Sequence, residues 1–254
     1  MSKLIAYVGS GSGGIEVFEI GEGGKTITPL NNGVQEPGYA GFLAYAKGKQ
    51  VLYSVDERKD AGRNEKNPTT VLAFKVDPAT AGLTFINKQP TIGCSCASVC
   101  VGPDENYVFT ANHGKFDHVI KAVETADGHW TNQFVYDDST VVQYPVNADG
   151  SLEPACDCFV LTGCGMDPNT SPQAGGHSQA SPHAHIVVVD PSGKFLIVCE
   201  KASEKIYVFR LGGNKLVLAS IFQAPLRTGP RHCAFDQNGH MFMTCEFSSE
   251  IWAF

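Results

Sequence analysis

Apolar residues along the chain recur in short runs of about four to eight, the length of strands rather than of helical stripes. Four stretches share one rhythm: GFLAYAKGKQVLYSVDE (41–57), ASVCVGPDENYVFTANH (97–113), AHIVVVDPSGKFLIVCE (184–200) and HCAFDQNGHMFMTCE (232–246). Each reads as a strand, a turn centred on Gly, Asp, Asn or Pro, and a second strand. A third run of β-formers follows: TTVLAFKVD, STVVQYPVN, EKIYVFRL and SEIWAF. Alternation with period 2, β-branched enrichment and turn punctuation favour strands, and no stretch offers an amphipathic helix with caps. In VDPSGK (189–194) Pro fixes φ and Gly accepts φ > 0, as a tight hairpin requires. Three or four antiparallel strands per unit of roughly 45 to 60 residues, repeated, predict an all-β chain folded as a β-propeller. A sandwich fits less well, because its strands would not recur in register with the same polar end-residue.

Two segments, 115–138 and 156–179, stretch the third unit and predict long insertions projecting from one blade region. With 254 residues, 43% of them hydrophobic, the chain can bury a substantial core. Its longest wholly apolar run, IVVV at 186–189, is far short of the roughly 20 residues of a membrane span. MSKLIAYVGSGSGG at the start has too short an apolar stretch for a secretory signal. These features predict a cytoplasmic chain with no membrane partner. The net charge of −7 provides no field to gather nucleic acid, although a few arginines can hold a small anion locally. Nine cysteines without an export signal argue for reduced thiols rather than a disulfide framework.

Several motifs invite sharper readings. GSGSGG (9–14) has dinucleotide-loop spacing, but the strand-like IEVFEI follows it where pyrophosphate binding needs a helix N-terminus, so it reads as a hairpin turn. CSCASVC (94–100) and CDCFVLTGC (156–164) lack the C-x₂₋₄-C pairs of structural zinc sites and read as strand cysteines. His183 and His185 in SPHAH share a strand face and could offer two nitrogens to zinc, with His177 or Glu200 as third ligand. One repeat later the chain reads TGPRHCAF, placing Arg231 and His232 at the comparable strand entrance. Arginine cannot coordinate a metal and repels it, so anion binding fits these positions better. The two entrances are expected to face a common pocket. Glu57, Asn112 (with His113), Glu200 and Glu246, which end the second strands, form a second set expected at equivalent depth in each blade.

SPHAH, the DPSGKFL hairpin, TGPRH and the CEFSSEIWAF ending together resemble the seven-bladed propeller lactonases. These comprise the propeller-type 6-phosphogluconolactonase family and the related fungal carboxy-cis,cis-muconate cyclase. The similarity covers nearly the whole chain and is weakest across 115–179. It implies catalytic roles for His183, Arg231 and Glu246; His185, His232, Glu57, Asn112 and Glu200, singled out by their places in the repeat, are the candidate substrate-binding residues. The family's ANY stands here as Ala111-Asn112-His113 and its VNE as Val55-Asp56-Glu57. Cys199-Glu200-Lys201 replaces Asp-Leu-Gly, a departure that bears on substrate identity. Three fairly complete units, an N-terminal strand pair and a last unit ending at Phe254 predict about five of seven blades. The expectation is therefore a single propeller domain over 1–254, cut short at its C-terminal end.

The resemblance implies hydrolysis of a small anionic lactone such as 6-phosphogluconolactone. His183 would act as general base, Arg231 as oxyanion or anion binder, and Glu246 as acid/base partner or orienter of the histidine. The scheme needs no cofactor and no metal. The same groups would serve a muconate-type cyclase adding a carboxylate across an alkene. A binding platform without catalysis and a metal-dependent lactonase are the other readings.

Overall fold

The computed structural model describes residues 4–58, 68–169 and 179–254, and among these twenty strands form five successive blades and one accessory hairpin. Blade 1 comprises β1 (Leu4–Gly9), β2 (Ile15–Gly21) and β3 (Thr26–Pro29). Blade 2 comprises β4 (Ala40–Ala46), β5 (Val51–Asp56), β6 (Thr70–Val76) and β7 (Leu83–Pro90). In blade 3, β8 (Cys96–Val101) and β9 (Tyr107–Asn112) are followed by the hairpin β10 (Val119–Glu124) and β11 (Trp130–Val135). The blade then resumes with β12 (Ser139–Pro145) and β13 (Asp157–Leu161). Blade 4 comprises β14 (Ala184–Val189), β15 (Phe195–Glu200), β16 (Lys205–Arg210) and β17 (Val217–Gln223). Blade 5 ends the chain with β18 (Pro230–Phe235), β19 (Met241–Cys245) and β20 (Glu250–Ala253). Pairing within every blade is antiparallel, and the innermost strands β1, β4, β8, β14 and β18 touch in that order around a central channel. A three-residue 3₁₀ turn at Glu22–Gly24 is the only helix among the described residues, and none is long and apolar enough to cross a membrane.

The near-continuous hydrophobicity of the middle strands follows from burial on both faces. Leu196 and Val198 of β15 enter the core shared with blade 3, beside Phe109, Val141 and Phe209. Their neighbours Ile197 and Cys199 enter the core shared with blade 5, beside Cys233, Met243 and Cys245. The same alternation in β6 sends Val71 and Ala73 toward blade 3 and Leu72, Phe74 and Val76 toward blade 1. A strand with period-2 side chains between two neighbouring sheets must be apolar at nearly every position.

The inner hairpins are fastened by their aspartates. Asp190 accepts the amides of Ser192, Lys194 and Phe195 (2.7–3.0 Å), and Gly193 takes φ +71. Asp236 accepts the amides of Asn238 and His240 (2.8 and 2.9 Å) before Gly239 at φ +89 closes the turn. A carboxylate gathering the turn amides satisfies donors that no strand partner reaches.

Two expectations need correction. Residues 156–179 are not wholly an insertion, because Asp157–Leu161 pairs with β12 as the outer strand of blade 3. Residues 115–138 do leave the blade, as the exposed β10–β11 hairpin. Its base is tied down by Asp137, whose carboxylate accepts from the Lys115 amide (3.0 Å) and the Cys94 thiol (3.2 Å). GSGSGG forms the β1–β2 hairpin, as its flanking strands predict.

Candidate active site

Four of the five innermost strands, β4, β8, β14 and β18, carry the same irregularity. The register with its partner slips between Ala40 and Phe42, between Cys96 and Ser98, between Ala184 and Ile186, and between Pro230 and His232. The extra residue in each bulge is Gly41, Ala97, His185 and Arg231. A bulge re-aims the inserted side chain, and repeating it around the channel brings the inserted residues to one level. His185 and Arg231 are therefore structural equivalents.

This pairing refines the expectation that Arg231 and His232 stand at the strand entrance comparable to that of His183 and His185. The counterpart of His183 is Gly229, and both have left-handed backbones, at φ +67 and +66. Ser95 at φ +54 occupies the same place in blade 3. The carbonyls of Tyr39, Ser95, His183 and Gly229 accept the amides of Glu57, His113, Lys201 and Glu246 (2.7–3.2 Å). Each acceptor stands just before its bulged strand, and each donor just after the strand that pairs with it.

A correction follows directly. Glu57, Asn112, Glu200 and Glu246 mix two rows one residue apart, and successive residues of a strand point to opposite faces. The last strand row is Asp56, Asn112, Glu200 and Cys245, all buried. Asn112 Nδ2 donates to the Thr91 carbonyl (2.6 Å) and Thr140 Oγ1 (2.8 Å). Glu200 Oε1 accepts the amides of Ala202 (2.7 Å) and Ser203 (2.8 Å), while Oε2 accepts the Ser203 hydroxyl. Burial pushes the Glu200 carboxyl up to about 7 against these bonds. Asn112 Nδ2 and the Glu200 carboxylate thus bond atoms of nearby loops and strands, while Asn112 Oδ1 is buried without a hydrogen-bond partner among the described residues. The row that follows is Glu57, His113, Lys201 and Glu246.

At blades 3, 4 and 5 the two functional rows converge. Glu246 is held by two cations: Arg231 Nε lies 2.6 Å from Oε2 and Lys201 Nζ 2.8 Å from Oε1. Burial alone would raise the Glu246 carboxyl, but Lys201 and Arg231 outweigh it and hold the group below the usual carboxylate range. Beside this triad lie four imidazoles. His232 and His185 have centroids 4.9 Å apart, His185 and His113 5.9 Å, and His113 stacks on His183 at 3.8 Å. Phe116, at the base of the accessory hairpin, closes over the stacked pair.

His183 is fully buried. Its Nδ1 lies 3.0 Å from the His113 carbonyl and 2.9 Å from Ser181 Oγ. A carbonyl only accepts, so this network assigns the proton to Nδ1. The strained backbone of His183 is pinned by its amide donating to Ser139 Oγ (2.8 Å), and that hydroxyl donates to the His113 carbonyl (2.8 Å). His183 thus anchors the floor of the cluster, whereas His185 and Arg231 stand on the bulges.

Burial and neighbouring charges favour the neutral forms of His185, His113 and His232. His185 is pushed down to about 2 by burial, then by the charges of Arg231, His232 and Lys201. Burial also lowers His113 well below the ordinary histidine value, with His183, Lys201 and His185 adding to it. His232 is lowered by burial and Arg231, against the opposing pull of Glu246. Among the described residues no three His, Cys, Asp or Glu side chains converge to hold a metal ion; His177 lies outside the described residues. The nine cysteines are unpaired, and Cys96, Cys199 and Cys245 are buried core residues.

The match to known families coincides with this architecture. A model described as "Lactonase, 7-bladed beta-propeller" matches residues 5–254. The chain belongs to this propeller lactonase family. It is 26% identical over 258 residues to the 6-phosphogluconolactonase of Bacillus subtilis (strain 168), covering all of this chain and 62% of that relative. Among solved structures, a putative 6-phosphogluconolactonase from Bacteroides uniformis ATCC 8492 superposes with TM-score 0.77 at 22% identity, over 100% of this chain and 64% of that one. The Pseudomonas aeruginosa periplasmic gluconolactonase superposes with TM-score 0.76 at 23% identity, over 99% and 64%. The chain thus spans less than two thirds of the length of these relatives.

Of the residues singled out in the sequence, the structure gathers Arg231, Glu246, His185, His232 and His183 into one cluster with His113. Glu57 belongs to the same row as Glu246 but flanks Gly41 on blade 2. Lys201 was missed as a site residue, and His113 was noted only as a companion of Asn112. A one-residue offset of the repeat alignment would have revealed both, because they are the positions equivalent to Glu246.

Proposed function

We propose that this family member is a lactonase that hydrolyses a small anionic sugar-acid lactone, such as 6-phosphogluconolactone, by general acid/base chemistry. The observation that carries this reading is the Arg231–Glu246–Lys201 triad beside the neutral imidazoles of His185 and His232. Lactone hydrolysis needs a base for water, a cation for the carbonyl oxyanion and a proton for the departing ring oxygen. Arg231 supplies the cation: 43% of its side chain is exposed and, among the described residues, Glu246 is its only ionic partner.

The base in this scheme is His185 rather than His183, whose buried ring is committed to the floor of the cluster. A neutral His185 takes a proton as water adds to the lactone carbonyl. The oxyanion forms against Arg231, the carbon to ring-oxygen bond then breaks, and the proton passes from His185 to the leaving alkoxide, giving the hydroxy acid. Glu246 positions Arg231. No step is routed through a metal or cofactor; a metal would meet the Arg231 and Lys201 charges. In a pH-stat, the purified chain should accelerate acid release from 6-phosphogluconolactone, Arg231→Ala should abolish the acceleration, and a chelator should leave it unchanged. Absence of acceleration by folded protein overturns the proposal; loss of muconate absorbance in a parallel assay would point to the cyclase reaction instead.

A further inference from the structure

Lys201 does more than neutralise a carboxylate. Only 9% of its side chain is exposed, and burying an ammonium is costly unless its surroundings compensate the charge. Glu246 compensates it, but Glu246 is already paired with Arg231 at 2.6 Å. Two cations on one carboxylate leave one positive charge in excess. The nearby rings do not absorb it: burial first, and then neighbouring charges that include Lys201, keep His113 and His185 neutral. His185 Nδ1, buried in the same cluster, has no hydrogen-bond partner. The Glu200 carboxylate meanwhile gathers the Ala202 and Ser203 amides and so fixes the turn that presents Lys201.

We infer that Lys201, with Arg231, forms a subsite for an anionic group carried by the substrate in addition to its lactone, a phosphate or a carboxylate. The inference rests on the lactonase reading for its substrate and makes Lys201 a specificity-determining residue. An anion against both cations completes the charge balance of the triad. It also offsets the part of the His185 depression that comes from Arg231 and Lys201, though not the larger part that comes from burial, so a charged lactone strengthens the base more than a neutral one does.

The test compares kcat/KM for 6-phosphoglucono-δ-lactone, a glucaro-lactone bearing a free carboxylate, and neutral glucono-δ-lactone, in the wild type, Lys201→Met and Lys201→Arg. The ratio of charged to neutral lactone should fall about 10- to 100-fold in Lys201→Met, the range of losing one charge-assisted contact, and recover in Lys201→Arg. Whichever charged lactone shows the larger fall identifies the anion. A merely structural lysine would depress all three substrates alike, and an unchanged ratio overturns the inference. Calorimetry with inorganic phosphate and with acetate separates the two proposals. If the wild type hydrolyses no lactone, the lactonase reading fails, yet binding of either anion that weakens at least 10-fold in Lys201→Met still upholds the subsite. Binding of neither phosphate nor acetate in the wild type, or binding that the substitution leaves unaffected for whichever of them binds, overturns it.

Discussion

Replacing Glu200 by Gln tests whether this carboxyl is a buried structural clasp. It is fully buried, bonded to Ala202 and Ser203, and pushed up to about 7 from an ordinary 4.5 by loss of solvent. An acid whose folded value lies above its unfolded one holds extra protons in the native state between those values. The native state therefore loses stability as pH rises from 4.5 through 7 and stays level above. A shift of that size corresponds to roughly 3 kcal/mol at 1.36 kcal/mol per unit, an order-of-magnitude figure. Gln stays neutral, keeps a carbonyl oxygen for the two amides, and lacks this pH-dependent loss. In blade 3 the equivalent residue is already an amide, Asn112. Urea unfolding of both proteins at pH 5 and pH 8 should show the variant gaining about 2–3 kcal/mol relative to wild type across that interval. Parallel stabilities at the two pH values would refute the reasoning, because a solvated or ligand-facing carboxylate contributes no such slope.

Glu246→Gln should behave in the opposite sense. Its folded value is depressed, so its contribution is present above the unfolded value of 4.5 and lost as pH falls through the folded one. With Lys201 buried but a third of the Glu246 side chain exposed, the variant should lose about 1–3 kcal/mol at pH 7, a deficit that closes toward pH 3 in the same urea titrations. Ser139→Ala leaves the buried His183 amide and one acceptor site of the His113 carbonyl without this hydroxyl, which should cost about 1–3 kcal/mol and lower Tm by several degrees. An unchanged melting curve would mean that the His183 backbone is held by other contacts.

The blades were legible because their signals are local. Asp190 and Asp236 close turns with their own neighbours, and the hydrophobic alternation of β5, β6 and β15 is written in consecutive residues. Two features were not local. β13 is a short segment whose pairing with β12 skips a loop, so nothing adjacent marks it as a strand. The bulges add one residue to β4, β8, β14 and β18 without changing their composition, so the sequence repeat does not mark which polar residue stands opposite the inserted one.

The one-residue step between the two rows divides their polar residues. Along the final strand row, Asp56 bonds Arg58, and Asn112 and Glu200 bond nearby loop atoms, so a polar residue there secures the blade's own loops. The next row, Glu57, His113, Lys201 and Glu246, lies opposite the bulge residues. Where the bulge residue is small, the row member fills its place: a Cβ on Gly41 would come within 2.1 Å of the Glu57 carboxylate. Where the bulge residue is long, the two rows meet in ionic contact, as Arg231 does with Glu246. Blades 2 and 3 carry Gly41 and Ala97, whereas blades 4 and 5 carry His185 and Arg231. One backbone device repeated four times thus concentrates cations and imidazoles on the blade 3–5 side of the channel. Moving His185 or Arg231 one residue along its strand would remove that convergence while leaving every blade intact.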